Sequence, residues 1–214
     1  EIVTAHGAAA RRCRQAGFEV LDIHGAHGYL IHTFLSPISN QRTDGYGGDL
    51  AGRMRLALEI AAAVRDEWPD DKPLFYRLSC IDDEPDGWTM EDSIILAQEL
   101  GRLGVDVIDC SSRGLGQRTT PVTVPREQGF QVPFAEGIRR NTDLKSMTVG
   151  LIMEPEFAEG VQQDGRADLS AIDPPRIRLL YGGGRTLGVA TQVSAGIMLQ
   201  EGPVAVEDGG DGRF

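Results

Sequence analysis

Residues 96–112 read LAQELGRLGVDVIDCSS. Leu96, Leu100 and Leu103 recur at helical spacing, Gly104 follows as a stop, and the apolar run 105–112 has the length and composition of a buried strand. The same unit lies on both sides. Upstream, the Ala- and Arg-rich segment 2–16 is helical by propensity and ends at Gly17 before FEVLDI (18–23); Leu50, Met54, Ala57, Leu58, Ala61 and Val64 mark a helix that leads into PLFYRLS (73–79). Downstream come a short helix (134–140), the strand SMTVGLI (146–152), a helix (154–163) and the strand ADLSAI (167–172). Strand and helix alternating in this way require crossover connections and a parallel sheet, so the fold class is α/β, either doubly wound or a (β/α)8 barrel. Function then belongs at the carboxyl ends of the strands, residues 22–29, 77–81, 111–114 and 150–152. The loops 31–49 and 113–133 are long for such connections and are expected to build the site.

Composition narrows the partners. Hydrophobic residues make up 41% of the 214 and charged residues 25%, as in a globular domain. A net charge of −11, with 32 acidic against 21 basic residues, argues against nucleic acid or an anionic membrane surface. No apolar run approaches the roughly 20 residues of a membrane helix, and no signal segment opens the chain, so a cytoplasmic location is expected. Cys13, Cys80 and Cys110 are far apart and form no CxxC pair, which suggests buried thiols rather than disulfides or zinc. The chain opens at Glu1 in what already reads as mid-helix, so its true beginning is expected to lie upstream.

After the first of these strands, DIHGAHGYLIHTFLSP (22–37) gathers three of the four histidines and a tyrosine. Three chemistries compete. A metal could be held by His24, His27 and Asp22, though no second ligand cluster presents itself. Alternatively, an imidazole base could be oriented by Asp22, which shares a strand face with His24. In the third reading, two imidazole N–H groups grip one acceptor oxygen and polarise a carbonyl. His32 and His6 read as ordinary satisfied polar residues. His24, His27 and Tyr29 read as functional, because Gly25 and Gly28 let a backbone turn come close to whatever is bound.

DIHGAHGYLIHTFLSPISNQRTDGYGG closely resembles the Old Yellow Enzyme family of FMN-dependent NAD(P)H oxidoreductases, in particular its bacterial NADPH dehydrogenase and ene-reductase branch. The resemblance continues through PLFYRLS, DGWTMEDSIILAQELGRLGVDVIDCSS, GFQVPFAEGIRR and VGLIMEPEFAEGVQQDGRADL, nearly to Ile172. It implies a partial (β/α)8 TIM barrel, strands four to eight, in residues 1–172, with FMN at the carboxyl mouth and NAD(P)H as reductant. His24 and His27 match the pair that binds an enone carbonyl or a nicotinamide carboxamide, and Tyr29 matches the proton donor to the α-carbon. Arg77 matches the arginine beside the flavin N1 and C2 carbonyl, where a fixed cation stabilises the anionic reduced ring. Gly150 matches a position where the backbone approaches the FMN phosphate. In the loop, Pro37, Asn40, Arg42, Asp44 and Gly47 read as turn and salt-bridge residues that shape the wall.

Three departures from the pattern stand out. Strands one to three are missing, which leaves raw sheet edges and the expectation of self-association or pairing with another subunit. Ala51, Gly52 and Arg53 replace a Glu-Asn-Arg helix opening, which should weaken that helix start by about 1 kcal/mol. After Ile172, nine of 42 residues are glycine and no helix or strand can be drawn, so 173–214 reads as an irregular tail. Pro174, Pro175, Arg176 and Ile177 stand where an Ile-Gly-Arg-Glu run is expected. Codons for Arg-Glu-Phe read one base early give Pro-Arg-Ile, so a frameshifted ending is a hypothesis that the DNA decides. YGGGRTLG (181–188) lacks the context of a phosphate loop. The rival readings are a metal-dependent hydrolase on the same barrel and an inactive truncated family member.

Overall fold

A computed structural model of the chain describes residues 1–115 and 126–172, together with the backbone of 189–190. In chain order the elements are α1 (Ile2–Gln15), β1 (Leu21–Gly25), α2 (Leu30–Leu35), α3 (Leu50–Glu67), β2 (Leu74–Ser79) and α4 (Met90–Arg102). They continue with β3 (Val107–Ser111), α5 (Val132–Asn141), β4 (Lys145–Thr148), α6 (Pro155–Gln163), β5 (Leu169–Ala171) and β6 (Val189–Ala190). The strands form one sheet in the order β1 to β6, every neighbouring pair parallel. The α/β expectation is met. The tail otherwise lies outside the described residues, including 181–188, but the reading that it holds no strand is corrected by the two-residue β6.

Alternation along each strand divides the sheet into two unlike faces. Leu21, Ile23, Leu74, Tyr76, Leu78, Ile108 and Cys110 join the main core with Ile60 of α3, Leu96 and Leu100 of α4 and Ile138 of α5. Each fully buried leucine or isoleucine there contributes roughly 1.5–3 kcal/mol, so this helix-covered face carries most of the stability. On the opposite face the register sets His24 beside Arg77 and Arg77 beside Asp109. Apolar cover on that face is slight, a cluster of Val107, Met147 and Ala171 with Phe75, Val149 and Leu169.

Several boundaries differ from the sequence reading for local reasons. The strand in FEVLDI starts only at Leu21, where pairing with Leu74 begins. The strand in SMTVGLI ends at Thr148, because Gly150 (φ 110°) and Leu151 (φ 52°) turn the chain away from the ladder. Part of the supposed long loop 31–49 is helix, since α2 starts directly after Tyr29. The helix opening read as weakened is nonetheless capped, the Asp49 side chain accepting from Gly52 N at 2.8 Å. Gly52 is there for space, because a Cβ would lie 2.1 Å from the Gly47 carbonyl oxygen.

Gly52→Ala therefore sets two effects against each other. Helix propensity favours alanine by about 1 kcal/mol, whereas the collision with Gly47 O requires backbone movement that costs roughly 1–3 kcal/mol. The expected result is a lower urea midpoint, followed by circular dichroism. A raised midpoint would show that the 42–49 loop yields freely.

Candidate active site

The first turn of the site is built by close packing. Gly25 ends β1 as glycine because the Tyr76 ring and hydroxyl would lie 2.5 Å from an added Cβ. The chain then turns through His27 (φ 60°) and Gly28 (φ 75°), and a Cβ on Gly28 would lie 2.2 Å from Gly114 O. A left-handed non-glycine residue such as His27 needs fixing from outside. Its backbone N–H donates to Ser79 Oγ (3.0 Å), whose hydroxyl donates to Arg113 O (2.6 Å), and its Nε2 lies 2.6 Å from Ser111 Oγ. Residues at the carboxyl ends of β2 and β3 thus clamp the turn that leaves β1.

This turn brings the expected trio together. The His24 and His27 ring centroids are 5.2 Å apart, and His24 and Tyr29 are 5.3 Å apart. Tyr29, at the N-cap of α2, is 56% exposed and offers its ring to the mouth. Both imidazoles stay neutral at physiological pH. Burial and the positive charge of Arg77 lower His24, and the same causes push His27 down to about 4.

Below them lies a buried charge cluster on the inner face. Arg77 Nε is 3.2 Å from Asp109 Oδ2, with the guanidinium side chain 17% exposed and the carboxylate fully buried. Asp22, on the same face, is pushed up to about 8 by burial and by the neighbouring Asp109 charge. Asp109 is raised to about 6 by burial, which outweighs Arg77. The sequence reading of Asp22 as orienter of His24 is corrected by this: its electrostatic partners are Asp109 and Arg77. Nor does Asp22 complete a metal site, since among the described residues no group of three His, Cys, Asp or Glu side chains could hold an ion.

His32 was expected to be unremarkable and is not. It is fully buried, its Nδ1 accepts from Gly28 N–H (2.9 Å) and its Nε2 meets Asp82 Oδ1 (2.9 Å). Asp82 also accepts, on Oδ2, from Ser36 Oγ (2.6 Å) and Trp88 N (2.7 Å). The sequence signal was available only as an Asp in the loop after β2, a position at which many roles are possible. Gly150 lies just past β4, where a Cβ would meet Phe130 (2.7 Å) and Gln131 (2.8 Å). Gln131 bridges the β3 and β4 ends when its amide nitrogen donates to Val149 O (2.9 Å) and its oxygen accepts from Ser112 N (3.0 Å). Cys80 and Cys110 are buried free thiols, as read, whereas Cys13 is only half-buried.

A half-buried histidine pair and a tyrosine stand beside a buried arginine at the carboxyl end of a parallel sheet. The sequence profile of the NADH:flavin oxidoreductase / NADH oxidase family matches residues 1–178, and the chain belongs to that family. It is 42% identical over 205 residues to an NADPH dehydrogenase of Geobacillus sp. (strain WCH70), covering 94% of this chain and 58% of that protein. With an NADPH dehydrogenase of Bacillus subtilis (strain 168) it shares 44% over 178 residues, 83% of this chain and 51% of the other. The structure of a 2-naphthoyl-CoA reductase in complex with 2-naphthoyl-CoA superposes with a TM-score of 0.73 at 28% identity, over 80% of this chain and 26% of that one. The chain thus spans little more than half the length of these dehydrogenases, and its sheet is part of a (β/α)8 barrel.

Two stability tests follow from the buried groups. Asp22 titrates above its ordinary carboxyl value of 3.8, so its contribution to stability is full below that pH and is lost as pH rises through about 8. His27 acts in the opposite sense, costing stability as pH falls from 6.5 towards 4. Asp22→Asn should therefore be more stable than the parent chain at pH 8, with the advantage fading towards pH 4 in urea midpoints. An advantage independent of pH would place that titration elsewhere. Asp82→Ala strands the His32, Ser36 and Trp88 donors in the interior and should cost about 3–5 kcal/mol by the same measurement.

Proposed function

We propose that this chain forms the substrate-gripping wall of an FMN-dependent oxidoreductase that takes hydride from NAD(P)H and reduces an electron-poor alkene such as an enone. The observation that carries the reading is the convergence of His24, His27 and Tyr29 on one side of Arg77, at the carboxyl ends of β1 and β2. The names of the relatives, NADPH dehydrogenases and an aromatic acyl-CoA reductase, point the same way.

The residues present suit a flavin. Arg77 Nε is buried without an aligned hydrogen bond, and with Asp22 raised to about 8 the guanidinium charge is met near neutral pH by one ionised acid, Asp109 at 3.2 Å, rather than by two. Such a cation favours an anionic ring system beside it. Arg77 would hold the pyrimidine edge and Gly150 would admit the phosphate at the β4 end. FMN, when bound, supplies the relay of hydride from NAD(P)H to the alkene. His24 and His27, being neutral, each offer one N–H to the substrate carbonyl oxygen and stabilise the negative charge that gathers there. Tyr29, exposed beside His24, delivers a proton to the α-carbon from the mouth. The acidic surface agrees with small-molecule substrates and a cytoplasmic setting, and among the described residues no helix is long and apolar enough to cross a membrane.

The first test is an FMN titration of the purified chain, followed by flavin fluorescence. Saturable binding weakened about tenfold or more in Arg77→Ala is expected, the loss of a charge-assisted contact worth roughly 1.5–3 kcal/mol. Failure to bind would favour the inactive truncated form. In a chain that binds, Tyr29→Phe should leave flavin reduction by NADPH intact while lowering enone reduction roughly 10²–10⁴-fold. Equal loss in both half-reactions would remove the tyrosine from proton transfer.

A further inference from the structure

We propose that His32 is a positioning residue, a tautomer-locked strut that sets the orientation of the His24–His27 pair from inside the fold; this rests on the reading of that pair as the substrate grip. The turn that carries His27 has few anchors of its own. Of the two successive left-handed residues, His27 is tied to Ser79 through its N–H, and Gly28 is tied to His32 through its N–H, which donates to Nδ1 at 2.9 Å. An imidazole nitrogen that accepts from a backbone N–H carries no proton, so the proton of neutral His32 sits on Nε2 and points at Asp82 Oδ1, 2.9 Å away.

Asp82 can impose that choice because it is an acceptor on every side. Its other oxygen takes hydrogen bonds from Ser36 Oγ and Trp88 N, its own N–H donates to Trp88 O (3.0 Å), and its side chain is fully buried. Trp88 is fixed in turn, its indole donating to Ser93 Oγ (2.6 Å), which donates to Cys80 O (2.8 Å). A chain of directed bonds therefore runs from the start of α4 through the loop after β2 to the Gly28 amide. Neither end of it is exposed; His32 reaches the pair through the Gly28 backbone and through a minor electrostatic influence on His24 and His27, so its directional effect on the site passes through the turn. The opposite tautomer would set two N–H groups face to face at Gly28 and two acceptors face to face at Asp82.

The test uses the full chain uniformly labelled with 15N. A coupling across the hydrogen bond between the Gly28 amide nitrogen and His32 Nδ1, with His32 in the neutral Nε2–H form, is the expected result. Absence of that coupling in a folded sample, or a proton on Nδ1, would overturn the proposal, and neither outcome depends on a variant or on flavin. Function is read with two substitutions. His32→Gln can keep an oxygen towards Gly28 and an N–H towards Asp82, so its His24 and His27 ring resonances should stay in place. His32→Leu should shift both, and in the flavin-loaded chain should lower enone kcat/KM roughly 10–100-fold, with flavin reduction by NADPH unchanged. Identical ring resonances in the two variants would reduce His32 to a core residue. If FMN does not bind, the flavin reading fails while the coupling measurement still decides the strut.

Discussion

The mouth of this sheet depends on one buried carboxylate. Asp82 sits in the loop after β2, outside every strand and helix, and yet it satisfies donors from α2, from the segment that follows α2 and from Trp88 just ahead of α4. A parallel ladder fixes where each strand ends but not where the following loop goes. Here the loops after β1 and β2 are joined by one buried acceptor, and a buried donor left without it costs about 1–3 kcal/mol. Through His32, that penalty adds the Gly28 anchor to the bonds of Ser79 and Ser111 that hold the His27–Gly28 turn in a left-handed geometry the histidine would not choose.

The same economy of position appears beneath the turn. Arg77, Asp22 and Asp109 occupy the inward face of three neighbouring strands, a place where one cation meets two acids and none is well solvated. Burial and the neighbouring Asp109 charge discourage Asp22 from ionising, and that suppressed negative charge leaves more of the Arg77 field directed into the mouth. Burial, with that field second, keeps His24 and His27 neutral. The half-buried setting and the arginine together determine what the histidines can do, since a neutral imidazole donates through one nitrogen and has a lone pair to be fixed through the other.

What the sequence disclosed follows from what is local. The helix and strand periods, the glycine stops and the residues just past each strand needed only neighbours along the chain, so the parallel sheet and the grouping of His24, His27, Tyr29 and Arg77 at its carboxyl end were legible. The Asp49 cap and the Gly47–Gly52 contact were not, because whether a glycine weakens a helix depends on what approaches it, and that is a tertiary fact. His32 was misjudged for a similar reason. Its partners Gly28 and Asp82 lie 4 and 50 positions away, and the nearer bond forms only because the intervening turn is left-handed. Strand ends slipped by one to four residues, most where an apolar run outlasted its pairing partner, as past Thr148.

The two faces of the sheet show why site and stability are separable in this chain. The helix-covered face holds the large fully buried side chains, among them Trp68, Trp88, Tyr76, Leu74, Leu96 and Leu100. Among the described residues the inner face has only a small apolar cluster near β2 to β5. Everything that positions the histidine pair is anchored to the first face: Ser79 and Ser111 belong to strands whose alternate residues enter the core, and Trp88 and Ser93 enter it directly. The wall that carries the histidine pair therefore draws its order from the helices behind it rather than from whatever lies across the mouth. Substitutions on the inner face should then act on binding and on stability through titration, as at Asp22, whereas those behind the sheet should act on folding through lost packing.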